Sequence, residues 1–244
     1  MDRYDVQSNE LHYRENESTI YDALYAWKTD DVEFWKEIAR EFANGNALEL
    51  ACGTLRTALK IAEIGIHVTG LDNSSYMLEI ARKKLVALPE EIQAHVTLHE
   101  GDMRSMRLNQ QFSLVYLPFS TFLFLLTPDD QLALFETVRA HLAPGGIFAF
   151  DIFMPDINRL KIEPSPVWAL EVDSIINEIG SRIQCDLARE IDPIRQTILT
   201  HTRMREFKDH IYFPARTGAS HRPSGIQDRP LLGRLHPSRF LCSK

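Results

Sequence analysis

The sequence predicts an α/β fold in which helices cover both faces of a doubly wound, mostly parallel sheet. Between residues 47 and 152, five short apolar runs alternate with segments of helical periodicity, a pattern typical of parallel strands that are buried on both faces. Beyond residue 156, apolar and polar residues alternate instead, which predicts an antiparallel meander of about three strands. In a doubly wound sheet, ligands bind at the carboxyl ends of the parallel strands.

The individual elements follow from their local patterns. An apolar stripe that begins at Asp31 predicts a helix, which ends at the turn of residues 44–46. Either Asn73 or Ser74 can cap a later helix, and residues 127–130 resemble a capping box in front of another. That last helix is expected to bury Leu132, Phe135, Val138 and Leu142. A further helix is predicted at 55–64, and strands are predicted at 47–51, 66–71, 96–98, 112–117 and 147–152.

The composition is that of an ordinary globular protein. Of 244 residues, 44% are hydrophobic and 25% are charged, which is enough apolar material for a sizeable core. The longest apolar stretch, residues 114–126, is interrupted by Pro118, so no membrane span is predicted, and the polar N-terminus does not resemble a signal peptide. Three scattered cysteines and nine histidines form no metal-binding pattern. We therefore expect a cytoplasmic protein without a metal ion.

The charge is distributed unevenly. The net charge is −7, but residues 215–244 contain five arginines and one lysine against a single acidic residue, Asp228. This segment carries +5, which leaves −12 on the other 214 residues. Since nucleic-acid binding requires a basic surface, the acidic body argues against a nucleic-acid partner.

The most informative stretch, ALELACGTLRTALKIAEIGIHVTGLD at residues 47–72, joins a strand, a tight turn and a helix. Small residues in the turn let a ligand approach the backbone. Asp72 ends the next strand 19 residues after Gly53, where a carboxylate can accept hydrogen bonds from a ribose diol. The turn has one glycine instead of the G-x-G-x-x-G of dinucleotide sites, and Glu49 suits an ammonium group better than a pyrophosphate. A nicotinamide-dependent oxidoreductase is therefore disfavoured.

Five motifs then follow in order, and they read LELACGT, VTGLDNSSYMLEIARKKL, EGDMRSM, FSLVYLPFSTFLFLL and HLAPGGIFAFDIF. In this order and spacing they resemble the Rossmann-like S-adenosylmethionine-dependent methyltransferases that act on small molecules. The resemblance covers roughly residues 21–156. It implies S-adenosylmethionine as the cofactor and a small-molecule acceptor with an amine, hydroxyl or carboxyl group. A catalytically impaired protein that binds S-adenosylmethionine or S-adenosylhomocysteine is the alternative.

Carried over residue by residue, the resemblance implies a set of cofactor-binding residues: Tyr21, Glu49, Ala51, Gly53, Asp72, Asn73, Met77, Asp102, Met103 and Leu117. The turn at residues 49–53 would lie under the methionine portion, and Asp72 would hold the ribose. Met77, or the backbone near Asn73, would pack against the adenosine, and the segment 102–103 would contact the adenine edge. Residues 117–121 would line the path of the methyl group, and Tyr21, together with Tyr25, would close over the cofactor.

Two questions stay open at the level of sequence. The family usually has glycine where this chain has Leu55, so this side chain either crowds the cofactor or packs in the core. No motif supplies a general base, and Tyr116, Asp151 and His141 are only candidate titratable groups. His141 lies late in a helix and is expected at the surface. No catalytic residue is therefore assigned.

The resulting domain organisation has three parts. Residues 1–156 are expected to form the cofactor-binding domain with an N-terminal helical cover, and residues 157–214 a meander that covers the crevice. Residues 215–244 show neither helical nor strand periodicity, so we expect a disordered basic tail in place of the family's closing strand pair. A shifted reading frame near Ala215 would produce such a break, whereas a genuine basic tail would dock on the acidic body or on an anionic partner. If the tail is disordered, the fifth strand is an exposed edge of the sheet. The oligomeric state is left open.

Overall fold

The computed structural model of the chain describes residues 21, 22, 24–153, 168–176, 181–192, 197–207 and 238–243. The chain divides into two units. The first comprises Met1–Lys161, Asp192–Thr197 and Ser238–Lys244, and the second comprises Ile162–Ile191 and Ile198–Pro237.

Strands and helices alternate through the first unit, as the sequence predicts. The strands are β1 (Asn46–Leu50), β2 (His67–Asp72), β3 (Val96–Glu100), β4 (Phe112–Leu117), β5 (Leu142–Ile152), β6 (Ala169–Ile176), β7 (Ser181–Asp192), β8 (Thr197–Phe207) and β9 (Ser238–Ser243). The helices are α1 (Val32–Phe42), α2 (Ala58–Ala62), α3 (Ser75–Val86), α4 (Glu90–Gln93) and α5 (Pro128–His141), with a short 3-10 helix at Thr121–Phe124.

The first unit is built on a six-stranded sheet with the order β3-β2-β1-β4-β5-β9. Strands β1 to β5 pair in parallel, and Glu49 on β1 lies opposite Gly70 on β2 and Tyr116 on β4. The direction of winding reverses between β1 and β4, so their carboxyl ends flank the switch point at which such sheets bind ligands. The predicted fold class is confirmed.

Two apolar clusters cover opposite faces of this sheet because successive side chains of a strand point to opposite sides. Ala47 packs in one cluster with residues of α1, α2 and α3, whereas its neighbour Leu48 packs in the other with residues of α5. The first cluster includes Trp35, Ile61, Leu78 and Tyr116, and the second includes Phe112, Leu134, Val138 and Phe148. This arrangement fixes α1 to α3 on the face that carries Glu49.

Two helical predictions need correction. Helix α2 begins at Ala58 and not at residue 55, because the preceding turn uses left-handed backbone angles that helical periodicity does not reveal. Helix α5 leaves Leu132 60% exposed and buries Leu134 instead. Its buried face is Leu134, Thr137, Val138 and His141. Two of these four inward positions are polar, which explains why a hydrophobic pattern misplaces the stripe.

The prediction of a disordered tail is wrong for residues 238–243. Strand β9 pairs antiparallel with β5, from Ile147 opposite Ser243 to Ile152 opposite Ser238. The edge of β5 is therefore covered, because its row of backbone amides and carbonyls finds partners in a short segment that contains β-favouring residues. The rest of the expected tail, residues 215–237 and 244, lies outside the described residues.

The second unit contains the predicted meander. Strand β7 lies between β6 and β8, and β6 pairs with it antiparallel, with Ile183 opposite Ser174. That the meander covers the crevice stays a prediction. In the part of the chain that the structure describes, no helix combines the length and apolar character needed to cross a bilayer.

Candidate cofactor site

The turn after β1 brings the backbone close to helix α3. Gly53 has a φ of +53°, and a Cβ atom built on it would lie 3.5 Å from the Cε atom of Met77. The amide of Cys52 donates to the Leu71 carbonyl at 2.9 Å, which ties the turn to β2. The turn is thus packed against β2 and α3, and the approach of a ligand to its backbone stays a prediction.

Asp72 holds this turn and the start of α3 together. One of its carboxylate oxygens accepts from the Gly53 amide at 2.7 Å, and the other accepts from the Ser74 amide at 2.8 Å. Ser74 in turn caps α3 by accepting from the Met77 amide at 3.3 Å. The sequence places Asp72 beside Gly53 but does not reveal this bracing role, and the ribose contact stays a prediction.

Glu49 is a buried acid at the carboxyl end of β1. It is 2% exposed, and its Oε2 accepts a hydrogen bond from the Tyr116 hydroxyl at 2.7 Å. Burial raises the pKa of Glu49 to about 8, while the hydrogen bond from Tyr116 and the charge of Arg56 oppose the increase. Burial also raises the pKa of Tyr116, so its phenol is the donor. A cation brought to this site would favour the ionised form of Glu49.

A cavity lies between the cofactor turn and the loop that follows β4. Its lining includes Tyr21, Glu49, Ala51, Cys52, Thr54, Arg56, Thr57, Pro118, Phe119 and Thr121. Three of the predicted site residues, Tyr21, Glu49 and Ala51, meet here. The other seven predicted residues contribute no lining to this cavity: Gly53, Asp72, Asn73, Met77, Asp102, Met103 and Leu117.

Thr57 is a lining residue that the sequence reasoning missed. Its Oγ1 is buried and has no hydrogen-bond partner among the described residues. Such an unpaired hydroxyl costs about 1–3 kcal/mol, and a polar atom of a bound ligand would remove this cost. A hydroxyl directly before α2 was the available signal.

The segment before α1 is tied to the cofactor turn by charged side chains. Asp22 accepts from the Thr54 hydroxyl at 2.6 Å and forms an ion pair with Lys84 at 2.5 Å. Arg56 donates to both carboxylate oxygens of Asp31, at 2.7 and 2.9 Å. The two ends of residues 22–31 are therefore anchored next to the cavity.

Three aromatic side chains form a contact series beside the cavity, and Tyr21 and Phe119 line it. The rings of Tyr21 and Tyr25 have centroids 4.7 Å apart, and Tyr25 meets Phe119 edge-on at 5.0 Å. The Arg56 guanidinium lies 5.1 Å from the centroid of the Phe119 ring, a cation–π arrangement. The placement of Tyr21 and Tyr25 agrees with the expected cover, although closure over a cofactor stays a prediction.

The loop after β4 carries backbone strain beside the cavity. Phe119 and Ser120 have φ angles of +65° and +58°, which cost about 1–3 kcal/mol each in a non-glycine residue. The Ser120 amide donates to Asp151 Oδ1 at 3.1 Å, at the carboxyl end of β5. Burial raises the pKa of Asp151. Strained residues of this kind concentrate at functional sites.

The residues expected to contact adenine have other contacts. Asp102 accepts from the Arg104 amide at 2.8 Å and forms an ion pair with the Arg104 guanidinium, which also pairs with Asp130 at 2.6 Å. Leu117 is fully buried in the cluster under α5, so its side chain serves the core. The adenine and methyl-path roles of these residues stay predictions.

Leu55 and His141 both belong to the interior. Leu55 is fully buried in the cluster on the α1–α3 face, with a φ of +69°, and does not line the cavity, which favours core packing over crowding. The expected surface position of His141 is wrong. Its Nδ1 pairs with the Thr137 carbonyl at 2.7 Å, and its Nε2 accepts from the Leu108 amide at 2.8 Å, so it joins α5 to the chain before β4.

Residues 47–146 match the protein family described as "Methyltransferase domain". The order of motifs, the sheet and the cofactor turn agree with this match. The match identifies a methyltransferase domain at residues 47–146, in agreement with the resemblance.

Individual relatives are consistent with this class. The chain is 31% identical over 141 residues to the dTDP-3-amino-3,4,6-trideoxy-alpha-D-glucopyranose N,N-dimethyltransferase of Streptomyces venezuelae. The aligned region covers 55% of this chain and 56% of that protein. The structure of the CcbJ methyltransferase from Streptomyces caelestis superposes with a TM-score of 0.63 at 25% identity, over 80% of both chains. The structure of the glycopeptide N-methyltransferase MtfA complexed with S-adenosylmethionine superposes with a TM-score of 0.50 at 26% identity, over 75% of this chain and 79% of that one. The chain spans about half the length of the curated relatives it matches.

The cofactor of this class is S-adenosylmethionine, and two residues of the cavity suit its methionine portion. Its methionine portion carries an ammonium group, for which the buried Glu49 carboxyl is a suitable partner. The unpaired hydroxyl of Thr57 offers a donor in the same cavity. Among the described residues, no group of three or more acidic, histidine or cysteine side chains is arranged to hold a metal ion.

Proposed function

We propose that this protein is an enzyme that transfers the methyl group of S-adenosylmethionine to an amine nitrogen of a small-molecule acceptor. The cavity carries the proposal, because it is lined both by the cofactor turn, with Glu49 and Ala51, and by Phe119 and Thr121 of the loop after β4. Relatives named for methylating amino sugars support an amine acceptor. A hydroxyl or a carboxyl acceptor is the other outcome that an acceptor screen distinguishes.

Methyl transfer requires little of the protein beyond the positioning of the two reactants. When bound, S-adenosylmethionine supplies a methyl group on a sulfonium, whose S–C bond breaks as the nitrogen–carbon bond forms. The chain's own residues hold the reactants in line, and orientation of this kind is worth effective molarities of about 10⁵ M or more. Tyr21 and Phe119, which line the cavity, would exclude water from the reacting groups.

An amine acceptor must be neutral when it attacks, and the methylated nitrogen must then lose a proton. Asp151, which does not line the cavity but binds the loop that does, is the candidate acceptor of that proton. Its carboxylate is buried at the end of β5 and is fixed by the Ser120 amide next to Phe119. Because burial raises the pKa of Asp151, this group is a stronger base than an exposed carboxylate.

Binding and turnover should be measured separately. Calorimetry with S-adenosylhomocysteine tests the cofactor, and mass spectrometry after incubation with S-adenosylmethionine tests a panel of amines, alcohols and carboxylic acids that includes nucleotide-linked amino sugars. We expect binding, and a methylated product with amines. Binding without turnover on any acceptor would instead favour a non-catalytic cofactor-binding protein, and methylation of alcohols or acids alone would contradict the amine assignment.

A further inference from the structure

We infer that Tyr116 is a positioning residue for the cofactor: its phenol hydrogen bond stabilises Glu49 in the ionised form that receives the ammonium group of the methionine portion. The inference rests on the cofactor assigned above and is independent of the acceptor. Tyr116 does not line the cavity, so it acts through Glu49.

The geometry of the pair comes from the sheet. Glu49 and Tyr116 lie opposite each other on the parallel strands β1 and β4, so both side chains point to the same face. The hydroxyl donates to Glu49 Oε2 at 2.7 Å inside the core. The ring of Trp35 on α1 packs against the Tyr116 ring with centroids 5.5 Å apart. The contact with Trp35 therefore fixes the phenol ring, and the hydrogen bond from the phenol restricts the side-chain rotamers of Glu49.

The charged and titratable groups around Glu49 come from several elements. Arg56 in the cofactor turn favours its ionised form, while Asp31 before α1 and Asp72 at the end of β2 oppose it. Arg56 forms its ion pair with Asp31, so its charge is largely offset. Two further titratable neighbours are Tyr116, which donates the hydrogen bond, and Cys52, whose thiol has its pKa raised chiefly by burial. The acids around Glu49 therefore outnumber the one cation, and an ammonium group would stabilise the ionised carboxylate.

This arrangement couples cofactor binding to a proton. In the free protein the pKa of Glu49 is about 8, so most of the carboxyl groups are protonated at pH 7. An ammonium group binds the ionised form, and Glu49 must then release its proton. Affinity is expected to rise as the pH increases toward 8. The hydrogen bond from Tyr116 stabilises the ionised form, so its removal moves this pH dependence upward.

The test is calorimetry of the full chain with S-adenosylhomocysteine between pH 6 and 9, in buffers of different ionisation enthalpy so that released protons are counted. Three proteins are compared: the unchanged chain, Tyr116→Phe and Glu49→Gln. The amino group of the ligand titrates in the same range, but its contribution is common to all three. Thermal unfolding of each protein confirms that the variants fold, and Phe keeps the ring that packs on Trp35.

We expect the unchanged chain to release close to one proton at pH 7. Tyr116→Phe should bind about tenfold more weakly at pH 7 and within about twofold at pH 9, whereas Glu49→Gln should lose the proton release. An equal loss at every pH in Tyr116→Phe would show a merely structural role and overturn the inference. Absence of binding by the unchanged chain would overturn the cofactor assignment and this inference together. Binding without turnover would leave the inference standing and reject only the proposed reaction.

Discussion

Asp72 and Gly53 are joined by a 2.7 Å hydrogen bond between a buried carboxylate and a turn amide. This bond links the end of β2 to the turn after β1, and the second oxygen of Asp72 holds the start of α3 through Ser74. One side chain therefore sets the shape of the backbone on which the cofactor is expected to lie.

Replacing Asp72 by alanine should weaken both folding and binding. Two backbone amides lose their partner, at about 1–3 kcal/mol each where they remain buried, and the ribose loses its acceptor. We expect a lower free energy of unfolding in urea and a loss of S-adenosylhomocysteine affinity in calorimetry. Asp72→Asn, which keeps one acceptor oxygen, is the matched control. Its stability and its affinity should lie between those of the unchanged chain and of the alanine variant. Unchanged affinity in the alanine variant would refute the ribose assignment.

Leu55→Gly separates backbone strain from packing. Glycine relieves a left-handed φ that costs about 1–2 kcal/mol, but it removes a fully buried leucine, and comparable truncations cost about 2–5 kcal/mol. We expect net destabilisation in urea and unchanged cofactor affinity. Asn44→Gly, at another left-handed position in a surface turn, is the control and should change stability little. Tighter cofactor binding by Leu55→Gly would restore the idea that this side chain crowds the site.

Asp31→Ala should destabilise the anchored segment before α1. Its partner Arg56 keeps 18% of its side chain exposed, so we expect a loss of about 2–4 kcal/mol, somewhat less than for a fully buried pair. Urea unfolding measures this loss. The surface pair of Lys60 and Glu63 offers a comparison, since Glu63→Ala should cost no more than about 1 kcal/mol. Equal effects of the two substitutions would contradict the anchoring role.

Asp151→Asn should lower the activity and raise the stability of the protein. The pKa of Asp151 is raised in the folded protein, so the folded state binds more protons than the unfolded state and loses stability as the pH rises above the unfolded value. The asparagine variant lacks this loss and should unfold at higher urea concentration at pH 7 to 8 than the unchanged chain, with the difference vanishing toward pH 4. Its turnover should fall while S-adenosylhomocysteine affinity is retained. A variant with normal turnover would exclude Asp151 as the proton acceptor.

Strand β9 should protect the first unit from association. Leu241→Pro removes a backbone donor from the strand that pairs with β5 at Ala149. We expect a larger scattering signal and a higher apparent mass in size-exclusion chromatography, because an uncovered β5 edge can pair with another chain. The control is Leu241→Val, which keeps the amide. A monomeric proline variant of unchanged stability would show that β9 is dispensable.

The sequence predicts the central strands well because each is a short apolar run, and burial on both faces makes such a run conspicuous. It fails where polar residues are buried with local partners, as with Thr137 and His141 on α5. It also fails for β9, since pairing with β5 depends on a distant strand edge and not on the segment's own pattern.

In the candidate site, too, local sequence patterns are predicted and contacts with distant parts of the chain are not. Glu49 and Ala51 are predicted because small and acidic residues at a strand end form a recognisable motif, and the structure places both at the cavity. Thr57 is not predicted as part of it, and Tyr116 is predicted only as a candidate titratable group. The roles of these two depend on register between strands and on which hydroxyl is left without a partner, and neither can be seen in a single sequence.

The chain order of the two units has a consequence for synthesis. The first unit begins with the segments up to Lys161, but its sheet is completed only by Ser238–Ser243, after the chain has passed through the second unit. A ribosome that has delivered β5 must make the whole intervening segment before the covering strand exists. During that interval β5 presents an open edge. The nascent chain is therefore vulnerable to misassociation after Ile152 has been made and before Ser238–Ser243 follow, and a chaperone that shields strand edges would act between these two points.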